Sequence, residues 1–302
     1  MRALLGLLTA LALAATGCAA TGASPPRVVV TTDILGDVTK AVVGGQAEVT
    51  VLMRPDSDPH SFGVSAREAA RIETADLIVY NGLGLEEGVL RNVEAARRAG
   101  VPALAVGEGV DPITFTADET AGQPDPHFWT DPARMARAVD LIAGQVVAHV
   151  DGVDAAAVRA SAAAYRQQVE RLDAWVGQQV ATLPAGARRL VTNHHVFGYF
   201  ARRYGFQVVG AVIPSGTTLA SPSASDLKSL SDAIRRTGVK AVFADSSQPD
   251  RLAQVLASEA GVDVKVVPLF SESLSRRSPG AATYLEMVRS NTTAIVDGLD
   301  GR

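Results

Sequence analysis

The amino-acid sequence predicts an α/β protein of two lobes, each with a parallel four-stranded sheet and flanking helices, joined by one long inter-lobe helix. Three observations carry this expectation. Short apolar runs alternate with amphipathic segments, the pattern of βαβ units. Four of the runs fall before residue 110 and four after residue 189. Between the two groups lies a single apolar stripe at helical spacing. A length of 302 residues suffices for two domains of ordinary size, and a hydrophobic content of 47% permits substantial cores.

The chain opens with a segment that reads as processing signal rather than fold. Arg2 gives a positive start, and Ala3 to Leu13 is an apolar run too short to span a membrane as a permanent helix. Ala15-Thr16-Gly17-Cys18 then resembles a bacterial lipobox, with Ala15 where Leu is more usual. Residues 1–18 are therefore expected to be a leader, with Cys18 the lipid-anchored first residue of the mature protein; an ordinary secretory leader is the plainer alternative. Residues 19–26, rich in Ala, Thr, Gly, Ser and Pro, read as a tether. Cys18 is the only cysteine, so the mature fold has no internal disulfide and no thiolate to offer a metal. No later stretch is long and apolar enough to cross a membrane.

The predicted strands are Val28–Thr31, Val49–Met53, Leu77–Tyr80 and Ala103–Val106 in the first lobe, and Leu190–Thr192, Val208–Ile213, Ala241–Ala244 and Val264–Leu269 in the second. Ser65 with Glu68 has the form of a capping box that starts a helix. Asp131-Pro132, a capping residue followed by a first-turn proline, starts another that continues through Met135, Val139, Ile142 and Val146. The linking helix is read over 154–184: Val158, Ala162, Tyr165, Val169, Leu172, Val176, Val180 and Leu183 recur at steps of three and four. Pro184 and Gly186 end it. At 1.5 Å per residue it reaches about 45 Å, enough to run along both lobes. The lobes are then 27–153 and 185–302.

Net charge is −4, with no basic excess to suggest nucleic-acid binding, and an aromatic content of 5% argues against a stacking platform for bases or sugars. The chemistry lies in the histidines. Of five in the chain, three stand in short motifs of their own: His60 in Asp58-Pro59-His60-Ser61-Phe62, His127 in Asp125-Pro126-His127-Phe128-Trp129, and His194 in Asn193-His194-His195-Val196-Phe197-Gly198-Tyr199-Phe200. Glu272, in Phe270-Ser271-Glu272-Ser273-Leu274, follows the last strand. Imidazole and carboxylate together suit a borderline divalent metal, and four ligands suit tetrahedral zinc. Each motif follows a strand or precedes a helix start, where open α/β sheets collect ligands. Each also has a plainer reading. A buried histidine can simply be satisfied by a backbone carbonyl, Glu272 can be a solvated loop acid, and Trp129 reads as packing. Asp245 is a second candidate carboxylate after a strand, and reads rather as the cap of the helix that follows. Of the adjacent pair His194 and His195, one metal takes only one, because neighbours at a helix start point apart. His149 reads as a surface or packing residue.

The four motifs, in this order and at these intervals, resemble the zinc- and manganese-binding solute-binding proteins of ABC transporters, the group built around a long inter-lobe helix. The resemblance runs from about Val28 to Asn291. It implies two lobes facing across a cleft, with His60 and His127 from one and His194 and Glu272 from the other. It selects His194, three residues before Phe197, over His195, where the family usually has an acid. Glu272 stands where the family usually has aspartate. Many zinc-specific members carry a histidine-rich loop before the second ligand; the corresponding loop here, Thr114 to Asp125, is acidic and has no histidine.

What the resemblance implies is an exported lipoprotein, anchored to the outer face of the bacterial cytoplasmic membrane or lying in a periplasm. It would be monomeric and held to the membrane by lipid alone. It would capture zinc, with manganese as the alternative, and deliver it to an ABC permease and its ATPase. A metallochaperone that loads the site is a further implied partner. Metal binding needs neutral imidazole, so affinity is expected to fall as pH drops through the histidine range. Two other classes compete. A zinc hydrolase would need an open coordination position and a general base, and the chain has no His-Glu-x-x-His helix. An adhesin or structural surface lipoprotein would need no exchange of metal at all.

Overall fold

The computed structural model describes residues 25–116, 120–259, 264–277 and 279–300. The first lobe runs β1 (Arg27–Val30), α1 (Asp33–Val43), β2 (Glu48–Val51), α2 (Ala66–Glu73), β3 (Leu77–Tyr80), α3 (Glu87–Arg98), β4 (Ala103–Ala105) and a short α4 (Val106–Gly109). Two helices follow, α5 (Pro132–His149) and α6 (Ala155–Ala181). The second lobe runs β5 (Arg189–Thr192), α7 (Gly198–Tyr204), β6 (Gln207–Ala211), α8 (Ala224–Thr237), β7 (Ala241–Asp245), α9 (Arg251–Glu259), β8 (Lys265–Leu269) and α10 (Tyr284–Asp300). Every predicted strand is present, with ends shifted by a residue or two.

The two sheets have orders β2-β1-β3-β4 and β6-β5-β7-β8, and every pairing is parallel. The central strands β3 and β7 are buried along their whole length, as unbroken apolar runs covered on both faces require. The winding order is the same in both lobes, a structural repeat that no repeated motif announces. Both sheets reverse direction beside their first strand, so each opens a crevice at its carboxyl ends.

Helix α6 holds the lobes in register. Its buried face is Val158, Ala162, Tyr165, Val169, Leu172, Val176 and Val180, and Leu183 beyond its end is buried too. It packs on α1 of the first lobe, on α10 of the second and on α5. Over 27 residues it spans about 40 Å. Burial of one valine or leucine is worth about 1.5–3 kcal/mol. The stripe therefore outweighs the cap at Asp154, which accepts from Ala156 and Ala157 N–H and contributes about 1 kcal/mol. A stiff helix packed on helices of both lobes opposes wide hinge motion. The starts of α2 and α5 are capped as their sequences predict. Ser65 and Glu68 form a reciprocal capping box, and Asp131 accepts from Ala133 N–H at 2.9 Å ahead of Pro132.

Candidate metal centre

Backbone geometry brings His60 and His127 forward by one shared device. In each Asp-Pro-His turn the aspartate two residues earlier accepts the histidine's backbone N–H, Asp58 Oδ1 from His60 and Asp125 Oδ1 from His127, both at 2.9 Å. The intervening proline fixes φ and donates nothing, so the turn is stiff. His194 lies in the turn between β5 and α7, where its carbonyl accepts from Thr192 Oγ1 at 2.7 Å. Glu272 lies beyond β8. Asn291 on α10 holds the start of that loop with both ends of its amide, donating to Phe270 O and accepting from Phe270 N, each at 2.9 Å.

These four residues meet at the seam between the lobes, with His127 and His194 0%, Glu272 1% and His60 4% exposed. His127 Nε2 lies 3.3 Å from His60 Nε2 and 3.4 Å from His194 Nε2. Glu272 presents Oε1 to His194 Nε2 at 3.2 Å and to His127 Nε2 at 3.8 Å, and Oε2 to His60 Nε2 at 3.7 Å. One ligand atom from each lies within 4.8 Å of all the others. A tetrahedral zinc with ligand bonds of about 2.0–2.1 Å needs ligand atoms about 3.3–3.4 Å apart. The hole therefore has the size for one such ion.

The hydrogen bonding also calls for a cation. Both Glu272 oxygens are buried and accept no hydrogen bond from the described residues, an arrangement that costs several kcal/mol for an unpaired carboxylate. His127 Nδ1 donates to Asp125 Oδ1 at 2.7 Å. That bond places the neutral ring's proton on Nδ1 and leaves the Nε2 lone pair aimed into the cluster, the usual carboxylate–histidine–metal arrangement. His194 lacks such support: its Nδ1 is buried with no partner among the described residues. Its ring is held by edge contacts with His60 and His127, at centroid distances of 5.4 and 5.2 Å.

Burial pushes all three rings below the ordinary histidine range, so they stay neutral lone-pair donors well below neutral pH. Burial pushes Glu272 well above the ordinary carboxyl range, and the negative charges of Asp245, Asp58, Asp125 and Asp33 push it further. Asp125 is raised to about 7, mainly by burial. The carboxylates gathered around the pocket favour a divalent cation. The expected loss of affinity through the histidine range is displaced accordingly. Protonation of the raised Glu272 carboxyl competes with metal, and the lowered rings compete only at lower pH.

The adjacent candidates separate cleanly. His194 joins the cluster, whereas His195 is half-buried and lines a cavity of 570 Å³ between the Ile113–Thr116 segment and the β5–α7 and β6 region. Asp245 is no helix cap: α9 begins at Arg251. It is instead tied to the Glu272 loop, with Oδ1 accepting from Ser247 N–H at 2.7 Å and Oδ2 from Ser271 N–H at 3.2 Å and from Ser271 Oγ. Trp129 packs edge-on to His127 at 5.2 Å and donates Nε1–H across the seam to Ser271 O at 2.8 Å. His149 is exposed at the end of α5. Cys18 and the leader lie outside the described residues.

Several residues that shape the centre carry no local signal in the sequence. Tyr199 OH donates to Asp125 O at 2.7 Å and accepts from Ile113 N–H at 3.1 Å, which ties the His127 turn to α7. Gly198 makes this approach feasible, since a β-carbon there would stand 2.7 Å from Asp125 Oδ2. Asp33, at the start of α1, accepts from Ser273 Oγ at 2.7 Å and Leu274 N–H at 2.9 Å, fixing the segment after Glu272 from the opposite lobe.

Comparison with known proteins agrees with this fold. The family described as zinc-uptake complex component A, periplasmic, matches residues 28–298. The zinc-binding protein TroA of Treponema pallidum is 31% identical over 299 residues, covering 98% of this chain and 96% of its own. The manganese-binding lipoprotein MntA of Halalkalibacterium halodurans is 28% identical over 299 residues, covering 97% of each. The solved structure of the periplasmic zinc binding protein TroA from Treponema pallidum superposes with a TM-score of 0.82, covering 91% of this chain and 99% of that one.

Proposed function

We propose that this chain, which belongs to the periplasmic zinc-uptake component A family of metal ABC transporter solute-binding proteins, captures zinc outside the cytoplasmic membrane and delivers it to a permease driven by an ATPase. The ligands are His60, His127, His194 and Glu272. The observation that carries this reading is the convergence of three imidazole nitrogens, all within 4.8 Å, on one carboxylate whose oxygens have no hydrogen-bond partner among the described residues. Three neutral nitrogens and one anion leave a divalent ion with a residual positive charge in a closed shell, which suits zinc better than manganese. Manganese is the second reading, favoured by the name of the MntA relative. Equilibrium competition between the two ions for the purified chain tests the choice: the zinc reading requires one zinc per chain, held more tightly than manganese, and a preference for manganese would overturn it.

Binding without turnover follows from the same shell. Four protein ligands leave no open position for a substrate or an activated water. Release then needs only a small shift of one lobe, because moving one ligand spoils the tetrahedron. The chain acts as a monomer, with lobes 27–153 and 185–302 about the helix 154–184. Cys18 carries the lipid anchor and residues 19–26 the tether. Cys18→Ser should free the protein from membranes with unchanged metal affinity, and persistent membrane association of that variant would remove the anchor from the account.

A further inference from the structure

One stretch of the second lobe, between β6 and α8, touches the surroundings of all three histidines. Its first part brackets His194: Ile213 N–H donates to Asn193 O at 2.8 Å, and His195 N–H donates to Ser215 O at 3.0 Å. Its middle meets the cover of His127. A β-carbon at Gly216 would overlap the Phe115 ring, and that ring stands edge-on to His127 at 6.2 Å. Its end reaches the turn of His60. Thr218 Oγ1 donates to Asp58 Oδ2 at 2.6 Å, and Gln248 Nε2, from the loop after β7, donates to the same oxygen at 2.9 Å.

Asp58 thus faces two ways. Oδ1 accepts the backbone N–H of His60, while Oδ2 is gripped by two side chains of the other lobe. The carboxylate is 8% exposed, so its hydrogen bonds form in a low dielectric and are charge-assisted. Beside Thr218, Leu219 is 54% exposed, the more exposed of the two large apolar side chains that stand out among the described residues. The stretch is therefore buried against the metal centre on one side and reachable from solvent at its end.

We propose that Ile213–Thr218 is a release lever, and that Asp58 is the positioning residue through which it holds His60. A partner that pulls this stretch outward breaks the grip on Asp58, frees the His60 turn, loosens both backbone ties beside His194 and withdraws the support of Phe115 over His127. Three of the four ligands lose their positions through one displacement, with no opening of the α6 hinge. This deepens the delivery reading and rests on it.

The test is stopped-flow release of zinc from the purified chain to an excess of chelator. Thr218→Ala with Gln248→Ala cuts the grip on Oδ2 and leaves Oδ1 and all four ligands in place. The lever predicts release faster by about tenfold or more, the scale of a lost charge-assisted contact, with the association rate changed less than about twofold on the same scale. The spectrum of the cobalt-loaded chain should stay as in the parent. Gln248→Glu, which sets two carboxylates together, should also speed release, and Asp58→Asn combined with it should slow release again, because the amide then donates to the new carboxylate. Release unchanged in the double alanine variant overturns the lever. So does faster release accompanied by an altered cobalt spectrum, or faster release without recovery in the Asp58→Asn, Gln248→Glu pair, which makes the contact merely structural. A parent chain that takes up no stoichiometric metal removes the delivery reading and the lever with it.

Discussion

Asp125 is the residue whose removal should separate orientation of a ligand from coordination itself. Its Oδ1 accepts two bonds from His127, the backbone N–H at 2.9 Å and Nδ1–H at 2.7 Å, in a fully buried setting. Asp125→Ala leaves both donors without an acceptor and lets the ring turn. Loss of such a supporting carboxylate costs about 10–100-fold in metal affinity, or about 1.4–2.7 kcal/mol. The unpaired backbone donor adds a further penalty of about 1–3 kcal/mol to stability. Asp125→Asn is the control, because its amide oxygen can accept both bonds without the charge. It should lose about tenfold or less in affinity by the same reasoning. The assay is competitive zinc titration against a chelator, with circular dichroism to verify that each variant is folded. Binding of the alanine variant within about twofold of the parent would refute the argument, as would an asparagine variant that is as damaged as alanine.

Two further outcomes follow from the same geometry. His194→Ala should weaken zinc by at least about tenfold while His195→Ala has much less effect, measured by the same titration; the reverse order would move the ligand to the cavity side of the β5–α7 turn. Zinc affinity should rise as pH climbs through Glu272's raised range because binding displaces its proton, and Glu272→Gln should flatten that slope; an unaltered slope would assign the proton elsewhere. The sign for the metal-free chain is opposite at its two kinds of ligand. Glu272, raised above 4.5, gives stability that is present at low pH and lost as pH rises through its raised value. The rings, lowered from 6.5, give stability that is present above that value and lost as pH falls toward their lowered ones. The metal-free centre is thus stressed by its carboxylate as pH rises and by its rings as pH falls, and a divalent ion relieves the carboxylate's share.

The features legible in the sequence are those set by local rules. The α6 stripe repeats at helical spacing because one face meets both lobes, and all its predicted members are buried. The Ser65–Glu68 box and the Asp131-Pro132 start need only four-residue windows to be seen. The two Asp-Pro-His turns advertise their histidines because the device that presents the ring is itself three residues long. What stayed hidden depends on contacts between distant parts of the chain. Asp33 holds Ser273 and Leu274 from the other lobe. Tyr199 holds Asp125, and Thr218 with Gln248 holds Asp58. No spacing encodes such pairs, since each partner obeys only the local rules of its own loop. Asp245 misled for the same reason: an acid after a strand looks like a cap, and only the tertiary fold brings Ser271 to it. The common winding of the two sheets is likewise invisible in the sequence, because parallel order is set by which apolar runs pair, not by their composition.

The most direct test of the central claim is the zinc-edge X-ray absorption spectrum of the loaded chain, compared with that of Glu272→Ala. The account predicts four nitrogen or oxygen neighbours at about 2.0–2.1 Å, with the outer-shell scattering of three imidazoles. In Glu272→Ala, that variant should keep the imidazole signature while its remaining oxygen neighbour changes from carboxylate to water. A parent spectrum with six neighbours, or with fewer than three imidazoles, would contradict the account. A shell that is identical in the two proteins would remove Glu272 from the metal and leave a three-histidine site.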